Sequence, residues 1–304
     1  MRFSIFQESR KGMRKANQDR ASYAYTRECL LMAVADGMGG HLHGEVASQI
    51  AVQLMTEAFQ REARPKLADP SGFLQKKITE AHWALGEYAK ARDLVESPRT
   101  TCVACVVQDS TAYWAHVGDS RLYYIHKGRI VARTRDHSRV QLLVDRGRIR
   151  EEAVAAHPER NRIFNCIGSS APPQVEMSKP TPLREGDTLI LCTDGVWGAL
   201  PGPLITGSLL KNNILKAMPE LLALAELRAG IECDNLSVVA MTWEEKLADE
   251  KAGQVSTQTL DLDRVSTQLD NFRASESGDL SDEEIERAIK EIRDAIRKHT
   301  PQKP

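Results

Sequence analysis

The sequence predicts an α+β protein, an antiparallel β-sandwich flanked by helices. Three observations carry the prediction. Runs rich in Val, Tyr, Trp and Ile follow one another across breaks of two or three residues, which joins neighbours as antiparallel strands. Two amphipathic helices stand in series ahead of those runs. A further helical stretch separates the last two strands. Sheets with one apolar face need cover, and two sheets with helices outside them is the layered arrangement that supplies it.

The elements follow in order. Met1 to Tyr25 reads as a loop feeding a strand at the alternation Ser22-Tyr23-Ala24-Tyr25. Cys29 to Ala35 is a continuous apolar run, a buried strand cut off by Asp36-Gly37. Gly44 to Arg61 is helical: Val46, Ile50, Leu54 and Ala58 recur every four residues, and Met55 and Phe59 widen the stripe. Phe73 to Ala91 is a second helix, apolar at Leu74, Ile78, Leu85 and Tyr88. Thr100 to Gln108, Thr111 to Val117 and Arg121 to His126 are strands, and Lys127-Gly128 turns the last into Arg129 to Ala132. Val140 to Ala156 is polar and irregularly helical, and Asn161 to Pro173 is loop. Thr188 to Thr193 is a strand, Leu204 to Leu227 is helical with an interruption near Pro219, and Leu236 to Thr242 is the last strand.

Composition then shifts. Residues 1–243 form one domain, and 244–279, rich in Ser, Thr, Gln and Asp, read as a flexible linker. Residues 280–304 carry an amphipathic helix and tail. Ser281 and Glu284 make a capping box, Leu280 and Ile285 a hydrophobic staple, and Ile285, Ile289, Ile292 and Ile296 one narrow stripe. Such a stripe needs burial, by docking in cis, by pairing with a second copy or by binding a partner.

The bulk numbers exclude several classes. Of 304 residues, 41% are hydrophobic, enough for a sizeable core, and the net charge of -1 offers no field for nucleic acid or a membrane surface. No apolar run is long enough to span a bilayer, and no basic-then-apolar leader opens the chain, so a cytoplasmic protein is expected. The six cysteines lie mostly in apolar runs. Cys102 and Cys105 are three apart on a strand, so they face opposite ways and do not share a metal. Reduced core thiols are expected.

Function is concentrated in four aspartates. Asp36, Asp119, Asp194 and Asp234 each sit where an apolar run meets a turn. Asp36-Gly37 taken alone is an ordinary Asp-Gly hairpin turn. If the sheets align all four ends, the carboxylates converge, and like charges a few ångströms apart raise one another's pKa unless cations intervene. Oxygen-only ligands select Mg²⁺ or Mn²⁺ over zinc. His41 and His43 read as loop residues beside the glycines. Two such ions bring the pKa of a shared water near neutrality, and the electrophile that suits them is a phosphate. Arg14 is the candidate to clamp it with a bidentate fork, the alternative being an exposed base beside Lys11 and Lys15.

Taken together, Arg14-x-x-Asn17-Gln18-Asp19, Asp36-Gly37-Met38-Gly39-Gly40, Gly118-Asp119-Ser120-Arg121, Asp136-His137-Ser138, Thr193-Asp194-Gly195 and Asp234-Asn235 resemble, in this order, the motifs of the PPM-type (type 2C) metal-dependent serine/threonine protein phosphatases, bacterial branch. His157-Pro158-Glu159-Arg160-Asn161 with Ile167-Gly168 is similar to the segment after that branch's mobile flap. The resemblance covers residues 1–242 and implies a four-layer αββα sandwich. It implies two Mn²⁺ or Mg²⁺ ions bridged by Asp36, with the Gly37 carbonyl on one and Asp194 and Asp234 on the other. Asp119, with Asp194, resembles the residues of a third, weaker metal site. Arg14 would hold the substrate phosphate, Asn235 would orient Asp234, and residues 138–156 would form the flap. The implied reaction is direct attack of an activated water on phosphoserine or phosphothreonine in phosphorylated proteins, opposing a Ser/Thr kinase in bacterial signalling.

Three departures accompany the resemblance. Gln18 replaces a usual Glu, which favours Asp19 as the outer contact, through water. Met38 replaces a histidine thought to protonate the leaving group in eukaryotic members, and methionine has no proton to give. Arg99 replaces a glycine before Thr100 and Thr101.

Overall fold

The computed structural model describes residues 1–38, 43–244 and 266–269, the last by backbone alone. The strands are β1 (Arg2–Arg10), β2 (Asp19–Tyr25), β3 (Cys29–Asp36), β4 (Cys102–Gln108), β5 (Thr111–Val117), β6 (Arg121–His126), β7 (Arg129–Arg133), β8 (Glu176–Met177), β9 (Thr181–Pro182), β10 (Thr188–Cys192), β11 (Leu236–Glu244) and β12 (Ser266–Leu269). The helices are α1 (Gly44–Glu62), α2 (Pro70–Ala91), α3 (Arg139–Asp145), α4 (Asp194–Ala199), α5 (Gly202–Leu209) and α6 (Ile214–Ala229).

Two antiparallel sheets result. One runs β1-β11-β10-β6-β7, the other β12-β2-β3-β4-β5-β8 with β9 also on β5. Three apolar clusters fill the gaps between layers. Leu30, Met32, Val34, Val103, Leu189, Leu191, Val239 and Met241 pack between the sheets. The opposite faces of β3 and β4, through Leu31, Ala33 and Val106, meet Ile50, Phe59, Leu74 and Leu85 of α1 and α2. On the far side, Ile190, Val238 and Ala240 meet Trp197, Ile205, Met218 and Leu222 of α4 to α6. The order helix, sheet, sheet, helix is the expected αββα sandwich.

Local chemistry sets the helix ends. Asp69 caps α2 by accepting the Gly72 N–H at 3.0 Å, and Pro70 occupies the first turn, where no N–H is needed. Asn213 caps α6 in the same way through Lys216. Pro219 lies inside α6 without breaking it, contrary to the sequence reading. The carbonyl that Pro219 leaves without its N–H belongs to Leu215, an exposed residue that water can serve. The break falls instead at residues 210–213.

The N-terminal segment is the larger correction. Arg2–Arg10 is a full strand paired residue by residue with β11, Arg2 opposite Glu244 through Arg10 opposite Leu236. As an edge strand it is half-buried along its length, so its pattern is too mixed to announce itself. Cys102 and Cys105 face opposite layers as expected, one toward the helices and one between the sheets, and all six cysteines are free and buried. Beyond Glu244, the segment read as linker contributes β12, antiparallel to β2 with Leu269 opposite Ser22. The amphipathic helix expected over 280–304 lies outside the described residues.

Candidate metal centre

Strand polarity gathers the acidic residues at one end of the sandwich. β2 starts and β3 ends there, which places Asp19 opposite Asp36 in register. β5 ends there at Val117, and the turn to β6 carries Asp119. β10 ends there at Cys192, Thr193 stands at the N-cap position without a side-chain capping bond, and Asp194 opens α4. β11 runs antiparallel to β10, so its start, just after Asp234, returns to the same place. Asp36, Gly37, Asp119, Asp194, Asp234 and Arg14 all line one cavity of about 810 Å³.

Glycine is required at two of these turns. A Cβ on Gly37 would lie 2.6 Å from the Gln18 carbonyl oxygen and would overlap the Gly44 carbonyl. A Cβ on Gly195 would overlap the Asn235 carbonyl and stand 3.3 Å from the Asp234 Cβ, so the Asp194 and Asp234 turns pack backbone to backbone.

Hydrogen bonds hold the backbone or side chain of Asp36, Asp119, Asp19 and Asp234. The Asp36 N–H donates to the Thr101 hydroxyl at 3.0 Å, and the Asp36 carbonyl accepts from the Thr101 N–H and the Thr100 hydroxyl, each at 2.9 Å. Trp197 Nε1 donates to the Asp119 carbonyl at 2.9 Å. The Thr193 hydroxyl donates to Asp19 Oδ2 at 2.7 Å and accepts the Ser237 N–H at 3.0 Å, which ties β2 of one sheet to β11 of the other. Arg14 meets Asp234 as a fork, Nε to Oδ1 at 2.7 Å and Nη2 to Oδ2 at 2.6 Å.

The electrostatics are those of an anion cluster short of positive charge. Burial pushes Asp36 well above the usual carboxylate range, and the charges of Asp19, Asp194 and Asp119 push it further. Burial likewise raises Asp119 well above that range, with Asp194 and Asp136 adding to it. Asp19 rises to about 7 and Asp194 to about 6, in both cases first through burial. Arg14 is the one guanidinium bonded directly to these carboxylates among the described residues. Among the described residues neither imidazole nor thiol lines the cavity. Oxygen donors crowded in this way fit hard divalent cations.

The structure adjusts several expected roles. Asn235 meets Asp234 through its main chain. Its backbone N–H donates to Asp234 Oδ1 at 2.8 Å, while its amide group binds the carbonyls of Lys11 and Ala16 and accepts the Gln18 N–H, holding the Arg14 loop. Gln18 donates to Glu45 at 3.1 Å, a buried acid at the start of α1 that the sequence reading passed over. The flap expected over 138–156 does not line the cavity; Asn161 and Ile163, beyond it, do. The Arg99 carbonyl accepts the Met38 N–H at 3.0 Å, a contact that any residue can make, and its guanidinium reaches Glu96 at 3.3 Å. The roles of Thr101, which accepts the Asp36 N–H, and of Thr193, which donates to the Asp19 carboxylate, have no spacing signature in the sequence. Gly39, Gly40 and His41 lie outside the described residues.

A separate group, His116, His137 and Glu176, also has metal-ligand composition. Its hydrogen bonds argue against that use. His137 Nδ1 accepts the Gly118 N–H at 3.1 Å, so the ring proton sits on Nε2, toward Glu176 at 3.3 Å. A ligating Nε2 needs the proton on Nδ1 instead. The group bolts the Asp119 turn to Asn165, which also reaches His137 Nδ1, at 2.8 Å.

Comparison with known proteins agrees with this geometry. A family profile described as "Protein phosphatase 2C" matches residues 8–213. The serine/threonine phosphatase stp of Listeria innocua is 32% identical over 64% of this chain and 78% of its own length. The serine/threonine protein phosphatase PstP of Mycobacterium tuberculosis is 33% identical over 76% of this chain and 43% of its own. Among solved structures, the S. agalactiae serine/threonine phosphatase superposes with a TM-score of 0.71 at 28% identity, covering 80% of this chain and 100% of that one. A PstP catalytic domain in complex with 2 manganese ions superposes with a TM-score of 0.65 at 28% identity, covering 80% of this chain and 98% of that one. The chain belongs to the protein phosphatase 2C family of bacterial metal-dependent serine/threonine protein phosphatases.

Proposed function

We propose that this chain hydrolyses phosphoserine and phosphothreonine in proteins at the Asp36 centre, with two Mn²⁺ or Mg²⁺ ions and a third, weaker one. The observation that carries the reading is the convergence of Asp36, Asp119, Asp194 and Asp234 on one cavity that also holds Arg14. Asp36 and the Gly37 carbonyl would hold one ion, Asp36, Asp194 and Asp234 the other, and Asp119 with Asp194 the third. Asp19 would contact the centre through water. When bound, these ions supply a water of lowered pKa and positive charge facing the phosphate.

The chain's own residues do the rest. Thr100 and Thr101 fix the Asp36 backbone, so its carboxylate stays aimed into the cavity. Arg14 is 55% exposed at its side chain and is positioned to exchange the Asp234 carboxylate for two oxygens of a phosphate. No cysteine lines the cavity, so no thiol nucleophile competes with direct hydrolysis. Met38 lines it without a proton to give, so that position offers no side-chain acid to the leaving alkoxide.

With phosphorylated proteins as substrates, the role proposed is to oppose a serine/threonine kinase in a cytoplasmic setting. No helix among the described residues is long and apolar enough to cross a membrane. The test is turnover of a phosphothreonine peptide by the full chain with Mn²⁺, abolished by chelator and by Asp36→Asn or Asp194→Asn. Undiminished turnover by Asp194→Asn removes the metal assignment.

A further inference from the structure

A second cavity of about 240 Å³ opens on the other side of the same ligands. It shares Asp194 and Asp234 with the main one and is otherwise walled by Trp197 and the rest of α4, the end of α6, and the loop that carries Arg160. Its other charged residues are Arg160, Arg228 and Glu232. Neither arginine is in an ion pair among the described residues, although both line a pocket that Asp194 and Asp234 also line. Arg228 Nε donates to the Ala199 carbonyl at 2.7 Å, which leaves both Nη groups without a protein partner among the described residues. Arg160 spends one Nη on the Ala155 carbonyl at 3.3 Å, and its charge already favours ionised Asp194.

Once cations neutralise Asp194 and Asp234, two guanidinium groups face one carboxylate across this space, and the pocket is net positive. It adjoins the centre, so a side chain next to the phosphoresidue reaches it while the phosphate sits with Arg14. We propose that this pocket is a recognition subsite for an anionic side chain, a carboxylate or a second phosphate, flanking the phosphoresidue of the substrate protein. The inference rests on the phosphatase reading and adds a substrate preference to it. Planar guanidinium forks suit both anions, and two of them discriminate against lysine by repulsion as well as favouring acid by attraction.

The experiment walks a glutamate, a lysine or a second phosphothreonine through the positions on either side of a phosphothreonine peptide, using the full chain with Mn²⁺. At the best position, kcat/KM for the acidic peptide should exceed that for the lysine peptide by about tenfold, mostly through KM. The preference should shrink in Arg228→Gln and Arg160→Gln, vanish in the double variant, and invert in Arg228→Glu. Gln at 228 keeps a donor for the Ala199 carbonyl, so loss of preference does not reduce to loss of packing. A larger preference for the second phosphate than for glutamate, abolished in the double variant, makes phosphate the natural occupant. Wild-type enzyme that cleaves all the peptides equally, or a double variant that keeps the preference, overturns the subsite. A wild-type chain that cleaves no phosphopeptide at all overturns the phosphatase reading instead.

Discussion

Asp19→Asn isolates the cost of keeping this centre charged without cations. Asp19 is 2% exposed, and its carboxyl is raised from 3.8 to about 7, first by burial and then by the neighbouring Asp194. Three pKa units correspond to about 4 kcal/mol of lost stability when the group is ionised in both states. The sign follows from proton binding. Between pH 3.8 and about 7 the folded chain holds a proton that the unfolded chain has released, so stability falls as pH rises through that window. Above it the full penalty applies. Asparagine carries no charge and its Oδ1 still accepts from Thr193. The metal-free variant should therefore melt above wild type at pH near 8, by roughly 5–15 °C for a domain of this size. The gap should close as the pH falls toward 5. The assay is a thermal melt with chelator at several pH values. A variant that melts below wild type at high pH, or a gap that ignores pH, refutes the reasoning. With saturating Mn²⁺ the gap should shrink or reverse, because the cations remove the same penalty.

Other expectations are simpler. Gly37→Ala puts a Cβ into the Gly44 and Gln18 carbonyls, which are backbone and cannot step aside, so melting should drop by several degrees and activity with it. Arg121→Ala breaks a buried fork to Asp136, at 2.8 and 2.7 Å, and removes the cation that stacks 3.6 Å from the Trp197 ring; about 3–5 kcal/mol should appear in a denaturant titration with an unchanged m-value. Arg14→Lys keeps the charge and loses the fork, so KM for a phosphopeptide should rise about tenfold while the chelator response stays the same. The stabilisation that Mn²⁺ gives wild type should weaken from pH 8 to pH 6, as protons compete for Asp36, Asp119 and Asp194, and the Mn²⁺-induced change in melting temperature measures it.

The candidate centre was legible because its acidic residues stand where apolar runs meet turns. An apolar run that meets Asp-Gly or Asp-Asn marks both the element and the residue at its mouth, so Asp36 at the end of β3, Asp194 after β10 and Asp234 just before β11 stood out together. The central strands β3 to β6 were legible for the same reason, being buried on both faces or alternating cleanly. Arg2–Arg10 was not, since it pairs on one side only and mixes Phe3, Ile5 and Phe6 with charged neighbours. The helix break was misplaced because Pro219 is a local signal, whereas the turn at 210–213 is set by how α5 and α6 pack. Arg14 was chosen for its fork, and the fork is present, but on Asp234. Asn235 donates to its neighbour's carboxylate through its backbone, and its side-chain amide reaches across to the Arg14 loop, a contact over more than 200 residues that no local pattern encodes.

The Thr193 hydroxyl, bonded to Asp19 on one leaf and to Ser237 on the other, acts as a rivet at the catalytic rim. Sliding of the leaves past each other must pivot there, so slow breathing of the sandwich belongs to the opposite rim. In native-state hydrogen exchange the Ser237 amide should be among the last to open, and Thr193→Val should quicken it more than amides at the far ends of the same strands.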